Sequence, residues 1–212
     1  MRLDKNTMLL YAVTDRSWLG DRTLTDQVEE TLKGGATFIQ LREKDLDFDA
    51  FVKEARAIKK LTDAYQIPFV INDAVEVALA VDADGVHVGQ DDMDAGELRK
   101  QIGDKIIGVS ADTVELAIKA EADGADYIGV GAIYSTATKT EAEVVAFETI
   151  AAICEAVTIP VVAIGGLNET NIHTLKGTGV DGVALVSAIF SKADISKATK
   201  ELRQLSEAMT RP

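Results

Sequence analysis

Short apolar runs alternate along the chain with longer amphipathic stretches. The runs fall at 9–13, 38–42, 69–72, 85–88, 106–109, 127–130, 161–164 and 182–186. Their length and Val/Ile content predict buried parallel strands. Between them, apolar residues recur at helical spacing. The 47–65 stretch puts Phe48, Phe51, Val52, Ala55, Ile58 and Leu61 on one face. The 113–123 stretch groups Val114, Ala117 and Ile118, and a helix over 195–209 closes the chain. Thr25, Asp94 and Thr170 are the expected N-caps. Asp-Ala-Asp-Gly at 82–85, Gly-Ala-Asp at 124–126 and Gly-Val-Asp-Gly at 179–182 read as helix-to-strand turns. One strand and one helix recur about every 25 residues, eight times, which predicts a closed (β/α)8 TIM barrel forming a single domain over 1–212. A doubly wound open sheet is the alternative.

Composition narrows the function classes. Of 212 residues, 22 are Lys or Arg and 35 are Asp or Glu, giving a net charge of −13. That opposes a general nucleic-acid binder, which needs a basic footprint, but leaves room for a local anion pocket. No apolar run approaches the ~18 residues of a membrane span, and the 8–13 run is too short for a signal-peptide core. The single cysteine, Cys154, cannot form an internal disulfide. It sits in the helical pattern of Ile150, Ile153 and Val157, as a small core residue does. The expectation is a soluble cytoplasmic protein without a nucleic-acid or membrane partner; self-association into a homo-oligomer is left open by the sequence.

Barrels of this type carry their chemistry at the C-terminal ends of the strands. The second run ends Gln40-Leu41-Arg42-Glu43-Lys44, and alternation sends Gln40, Arg42 and Lys44 the same way. Two cations at a barrel mouth call for an anion, or for ion pairs with Glu43 or Asp45. The third and fourth runs end Asn72-Asp73 and Gln90-Asp91-Asp92. Neighbouring strands lie ~4.8 Å apart, so these carboxylates face one another. They share a proton, bind a cation or stay solvated at the rim; oxygen donors alone suit Mg2+, and a hydrolytic acid/base pair competes. Ser110 ends the fifth run, as a ligand donor or as the cap of the next helix. The sixth run leads into Tyr134-Ser135-Thr136-Ala137-Thr138-Lys139-Thr140, a dense set of donors. Gly165-Gly166 and Val186-Ser187 end the last two runs, where barrels often bind phosphate. His87, inside the fourth run, reads as a packed or hydrogen-bonded histidine and His173 as exposed; neither has a metal-spaced partner. Tyr11 and Trp18 either line the mouth or belong to the core.

These segments carry a resemblance. Tyr-Ala-Val-Thr-Asp at 11–15, Gln-Leu-Arg-Glu-Lys at 40–44, Ile-Asn-Asp at 71–73 and Gly-Val-His-Val-Gly-Gln-Asp-Asp at 85–92 are followed by Gly-Val-Ser at 108–110, Thr-Ala-Thr-Lys at 136–139, Ile-Gly-Gly at 164–166 and Val-Ser-Ala-Ile at 186–189. In this order, over nearly the whole chain, the sequence resembles the thiamine-phosphate synthase (thiamine-phosphate pyrophosphorylase) family. The resemblance implies a (β/α)8 barrel that transfers hydroxymethylpyrimidine from its diphosphate to hydroxyethylthiazole phosphate, releasing pyrophosphate. It implies that Gln40, Arg42, Lys44, Asn72, Ser110 and Lys139 hold the pyrimidine diphosphate, with Arg42, Ser110 and Lys139 catalytic. It implies Asp73 and Asp92 as Mg2+ ligands, and Thr136, Thr138, Gly166, Val186 and Ser187 as the thiazole phosphate site. Mg2+ with Arg42, Lys44 and Lys139 would supply about +5, less about 2 for the carboxylates, against a leaving group of about −3. The chain departs from the family at Asp112, where many members have His, at Ala132, where Pro is common, and near Ala146-Phe147, where Gly is usual. A related barrel that isomerises or merely binds the thiazole phosphate is the alternative; it would not need Asp73, Asp92 and Lys139.

Overall fold

The computed structural model describes residues 3–90, 92–135 and 144–211. Eight parallel strands close in sequence order into a barrel, β8 pairing back to β1. They are β1 (Leu10–Val13), β2 (Phe38–Leu41), β3 (Phe69–Asn72), β4 (Gly85–Val88), β5 (Ile106–Ser110), β6 (Tyr127–Val130), β7 (Val161–Ile164) and β8 (Gly182–Leu185). The helices outside them are α1 (Leu24–Gly34), α2 (Phe48–Tyr65), α3 (Val75–Ala80), α4 (Ala95–Ile102), α5 (Val114–Ala122), α6 (Phe147–Ala156), α7 (Ser187–Phe190) and α8 (Ile195–Thr210).

Alternation along the strands divides the core in two. Leu10, Ala12, Ile39, Leu41, Phe69 and Ile71 face outward and pack under the helices. Tyr11, Val13, Phe38, Val70, Tyr127 and Val162 face inward and fill the barrel. Inward positions of β5 and β6 are partly glycine because large neighbours take the space. A Cβ on Gly108 would sit 2.1 Å from Cζ of Tyr127, and one on Gly129 would sit 3.2 Å from Cε1 of His87.

A fourfold device closes the barrel floor. The residue just before each even-numbered strand accepts a hydrogen bond from an N–H at the start of the preceding odd-numbered strand. Leu10 donates to Thr37 Oγ1 at 2.8 Å and Phe69 to Asp84 Oδ2 at 2.8 Å. Ile107 donates to Asp126 Oδ2 and Val161 to Asp181 Oδ2, both at 2.9 Å. Three of these acceptors are the aspartates of the helix-to-strand turns expected from sequence.

Four expectations change. Thr23, not Thr25, caps α1, because Thr23 and Asp26 form a reciprocal capping box. Asp94 caps α4 as expected. Thr170 caps no helix: its N–H and hydroxyl both go to Asn168 Oδ1. The β7–β8 link holds a 3-10 turn, Ile172–Leu175, in place of an α-helix, with Asn171 at its start. Asn168 and Asn171 compete there with helical backbone bonding, Asn171 Oδ1 accepting from Asn168 N–H. Phe48 and Ile118, expected on buried faces, are 49% and 48% exposed. Phe48 is the first residue of α2, where the buried stripe has not yet begun.

Candidate active site

The C-terminal strand ends open onto a cavity of about 250 Å3. Gln40, Arg42, Lys44, Asn72 and Ser110 line it, as do Asp73 and Asp92. Gly166, Val186 and Ser187 line its β7–β8 side. A second hollow shares Gly166, Leu167 and Ser187 with it and extends towards Lys192. Thr136, Thr138 and Lys139, like Asp91, lie outside the described residues. Trp18 packs against the outer core, whereas Tyr11 reaches the cavity floor.

Each cluster is held by its strand end. Thr14, following β1, is fully buried; its N–H donates to Gln40 O at 3.0 Å and its Oγ1 accepts from Arg42 N–H at 3.0 Å. This carries the extended path of β2 past its last residue and aims Arg42 and Lys44 at the mouth. Glu43 points the other way and pairs with Arg16 at 2.7 Å; Arg16 also holds Glu54. Among the described residues neither Arg42 nor Lys44 forms an ion pair, so the pairing with Glu43 or Asp45 open from sequence is not made.

Asp73 leaves β3 with φ of +60°, a left-handed conformation that Asp tolerates better than most residues. Its N–H donates to His87 O at 2.9 Å, and the Asn72 side-chain amide donates to its carboxylate. Asp92 is held by Gly89 N–H at 2.7 Å. The two carboxyl groups meet. Desolvation, and then the charge and hydrogen bond of Asp92, push the Asp73 carboxyl up to about 6, against the pull of Asn72 and Arg42. Touching carboxylates share a proton or take a cation. Among the described residues no group of three His, Cys, Asp or Glu forms a metal cage. Two carboxylates open to solvent and to phosphate oxygens fit Mg2+, which keeps several waters and takes few protein ligands.

Ser110 ends β5 facing inward, and α5 is capped by Thr113 instead. Its Oγ lies 3.0 Å from His87 Nε2, and His87 Nδ1 lies 2.9 Å from the Tyr127 hydroxyl. Tyr127 and Tyr11 hydroxyls are 2.8 Å apart, and Gln40 Nε2 donates to Tyr11 at 2.5 Å. Burial raises both phenols above the ordinary tyrosine range. His87 is thus a hydrogen-bonded histidine, as expected. Tyr127 was not singled out from sequence: a tyrosine inside an apolar strand looks like core, and only its inward register with Gly129 hints otherwise.

Positive-φ glycines shape the β7 side. Gly165 and Gly166 have φ of +98° and +67°. A Cβ on Gly166 would lie 2.6 Å from Cβ and 2.7 Å from the carbonyl oxygen of Tyr134. The β6 loop is therefore seated on the β7 turn, with Tyr134 N–H donating to Gly165 O at 3.1 Å.

Fold and mouth together define a class: a (β/α)8 barrel with two cations, paired carboxylates and a glycine turn around one cavity. The profile of the thiamine monophosphate synthase family matches residues 10–189. The thiamine-phosphate synthase of Clostridium tetani is 53% identical over 194 residues, 91% of this chain and 93% of its own. That of Ruminiclostridium cellulolyticum is 51% identical over 197 residues, 92% and 94% of the two chains. The structure of the thiamine phosphate pyrophosphorylase of Pyrococcus furiosus superposes with a TM-score of 0.90 at 40% identity, covering 97% of this chain and 98% of that one. The chain belongs to the thiamine monophosphate synthase family, and as a member it is an enzyme, a transferase. No helix among the described residues is long and apolar enough to cross a membrane.

Proposed function

We propose that the chain condenses hydroxymethylpyrimidine diphosphate with hydroxyethylthiazole phosphate to give thiamine phosphate and pyrophosphate. The thiazole nitrogen forms a bond to the pyrimidine methylene carbon as the carbon–oxygen bond to the diphosphate breaks, and the electron pair leaves with pyrophosphate. Family membership supports the reaction. The observation that carries the residue roles is the convergence, on one cavity, of two cations that form no ion pair among the described residues, two touching carboxylates and a glycine turn.

The chemistry needs little proton transfer; it needs leaving-group charge neutralised and the nucleophile placed. Arg42 and Lys44, joined by Lys139, face the diphosphate, and Asn72 donates to its oxygens. Arg42, Lys139 and Ser110 act as charge develops. Gln40 and Ser110 hold the pyrimidine ring. Gly166, Val186 and Ser187, with Thr136 and Thr138, hold the thiazole phosphate. Asp73 and Asp92 would hold Mg2+, which when bound neutralises diphosphate charge.

The test is incubation of the purified protein with both substrates and Mg2+, scoring thiamine phosphate and pyrophosphate in equal amounts. Formation of neither would overturn the reading. Binding of thiazole phosphate without coupling would favour the alternative barrel.

A further inference from the structure

We propose that Tyr11, Tyr127 and His87 are positioning residues that lock the hydrogen-bonding sense of Gln40 to that of Ser110, selecting a ring that offers a donor to one and an acceptor to the other. The identity of the ring rests on the function proposed above.

The five side chains form one unbroken series across the barrel floor: Gln40 Nε2 to Tyr11 at 2.5 Å, Tyr11 to Tyr127 at 2.8 Å, Tyr127 to His87 Nδ1 at 2.9 Å, and His87 Nε2 to Ser110 Oγ at 3.0 Å. Its ends, Gln40 and Ser110, both line the cavity. Its two phenols are 1% and 0% exposed, so water has little access to them.

Each inner member has one proton to give and accepts one in turn: a phenol hydroxyl does so, and so does a neutral imidazole. With a neutral His87, two senses keep every member bonded within the series. The Gln40 amide nitrogen donates to Tyr11, which fixes the sense. Tyr11 then donates to Tyr127, Tyr127 to His87 Nδ1, and His87 Nε2–H to Ser110 Oγ. Ser110 is left with its hydroxyl proton for the cavity, and Gln40 with its carbonyl oxygen. The opposite sense would reverse both ends together. A mixed state would leave a buried hydroxyl unpaired, which is costlier than either.

The resulting pattern is an acceptor at Gln40 and a donor at Ser110. An aminopyrimidine matches it, with an exocyclic amine that donates and ring nitrogens that accept. An oxopyrimidine offers a carbonyl where the amine would be. The surroundings do not require these hydroxyls for packing: Phe38 lies against both tyrosines, with ring centroids 4.6 and 5.5 Å away, and contributes no polar group.

Two measurements test this. The chain has two histidines, so 15N-histidine NMR, assigned with His173→Gln, reads the His87 tautomer directly. The expected form is Nε2–H with Nδ1 unprotonated; an Nδ1–H form in the ligand-free protein would overturn the proposal. Tyr127→Phe and Tyr11→Phe interrupt the series at separate points. In either, KM for the aminopyrimidine diphosphate should rise, and its preference over the oxopyrimidine diphosphate should fall, by at least about tenfold. KM for thiazole phosphate should stay within about twofold, since that phosphate lies on the β7–β8 side. Folded variants with wild-type preference would show that the hydroxyls serve stability only, and would overturn the proposal. If neither variant folds, the tautomer decides. A wild-type protein that fails to couple the substrates would sink the function reading before any variant is compared.

Discussion

Substituting alanine at Gly166 and, separately, at Gly177 isolates the role of the β7 turn. Both glycines have positive φ, +67° and +89°. Both variants therefore incur the left-handed cost of a Cβ, ~1–2 kcal/mol, offset in part by ~0.4–1 kcal/mol from a less flexible unfolded chain. They differ in surroundings. A Cβ at 177 meets nothing within 4 Å, whereas one at 166 falls 2.6 Å from Cβ and 2.7 Å from the carbonyl oxygen of Tyr134. Backbone must move, adding ~1–3 kcal/mol of overpacking strain. At ~2–4 °C per kcal/mol for a domain of this size, Gly177→Ala should lower Tm by roughly 2–4 °C and Gly166→Ala by roughly 5–15 °C. The displaced residue, Tyr134, leads into the segment carrying Thr136, Thr138 and Lys139, so Gly166→Ala should also raise KM for thiazole phosphate by about tenfold. Thermal melts and initial rates on both variants give the answer. Equal Tm losses, with wild-type KM in both, would refute the argument that the β7 turn seats the β6 loop.

Three further outcomes follow from the site and its surroundings. In the fold without metal the Asp73 carboxyl sits at about 6, above the 3.8 of the free group, so its proton stabilises the folded state at low pH and this contribution is lost as pH rises through 6. In chelator, Tm of the wild type should therefore fall between about pH 4 and 6 relative to Asp73→Asn, and Mg2+ should restore it at the upper end; parallel curves would refute the pairing of Asp73 with Asp92. Lys139→Ala should lower kcat with a smaller change in KM, a loss of ~2–4 kcal/mol being typical of one electrostatic stabiliser; wild-type kcat would remove Lys139 from the mechanism. Desolvation pushes the half-buried Cys154 thiol up to about 12, so labelling by a thiol reagent at pH 8 should be slower in the native protein than in urea; equal rates would refute its shielding.

The strands were legible because each is a short apolar run that alternates between two cores. The bounds of β3, β4, β6 and β7 agree with the sequence reading to the residue. Position along a helix was harder. Phe48 and Ile118 keep helical spacing yet face solvent, because spacing marks a stripe without marking where the barrel wall begins and ends. Thr23 was readable in hindsight, since Asp26 completes a capping box three residues on. Thr170 was not, because a threonine ahead of an apolar pair fits a helix cap and a local turn onto Asn168 equally well, and the turn is what forms. At the mouth, residues that end strands could be named from position alone, and Gln40, Arg42, Asn72, Asp73 and Ser110 do share a cavity. Tyr127 stands lower in the barrel, and its link to His87 depends on β4 and β6 facing one another across the interior, which no local pattern reports.

The disposition of charge explains how a chain of net −13 keeps two cations at its mouth. Glu43 stands between Arg42 and Lys44 in sequence and would neutralise either if it shared their face. The pleat of β2 turns it away, where its side chain is 2% exposed. Burial alone would drive its carboxyl upward, and Arg16, whose Nε–H is shared between both Glu43 oxygens, opposes this. Arg16 is in turn fixed by Glu54 on α2, so the acid that could compete for the mouth is consumed by a cation outside it. At the opposite end of the barrel, Asp126 is paired with Arg99 and Asp181 with Lys5, and both also hold strand N–H groups. Acidic residues there are compensated locally and contribute to closure. Among the described residues Arg42 and Lys44 form no ion pair; they share the cavity with Asp73, which feels the charge of Arg42, and with Asp92, and cations beside a cavity attract an anion. The same pleat that builds the wall thus turns Glu43 away from Arg42 and Lys44, leaving both cations on the cavity where a diphosphate would enter.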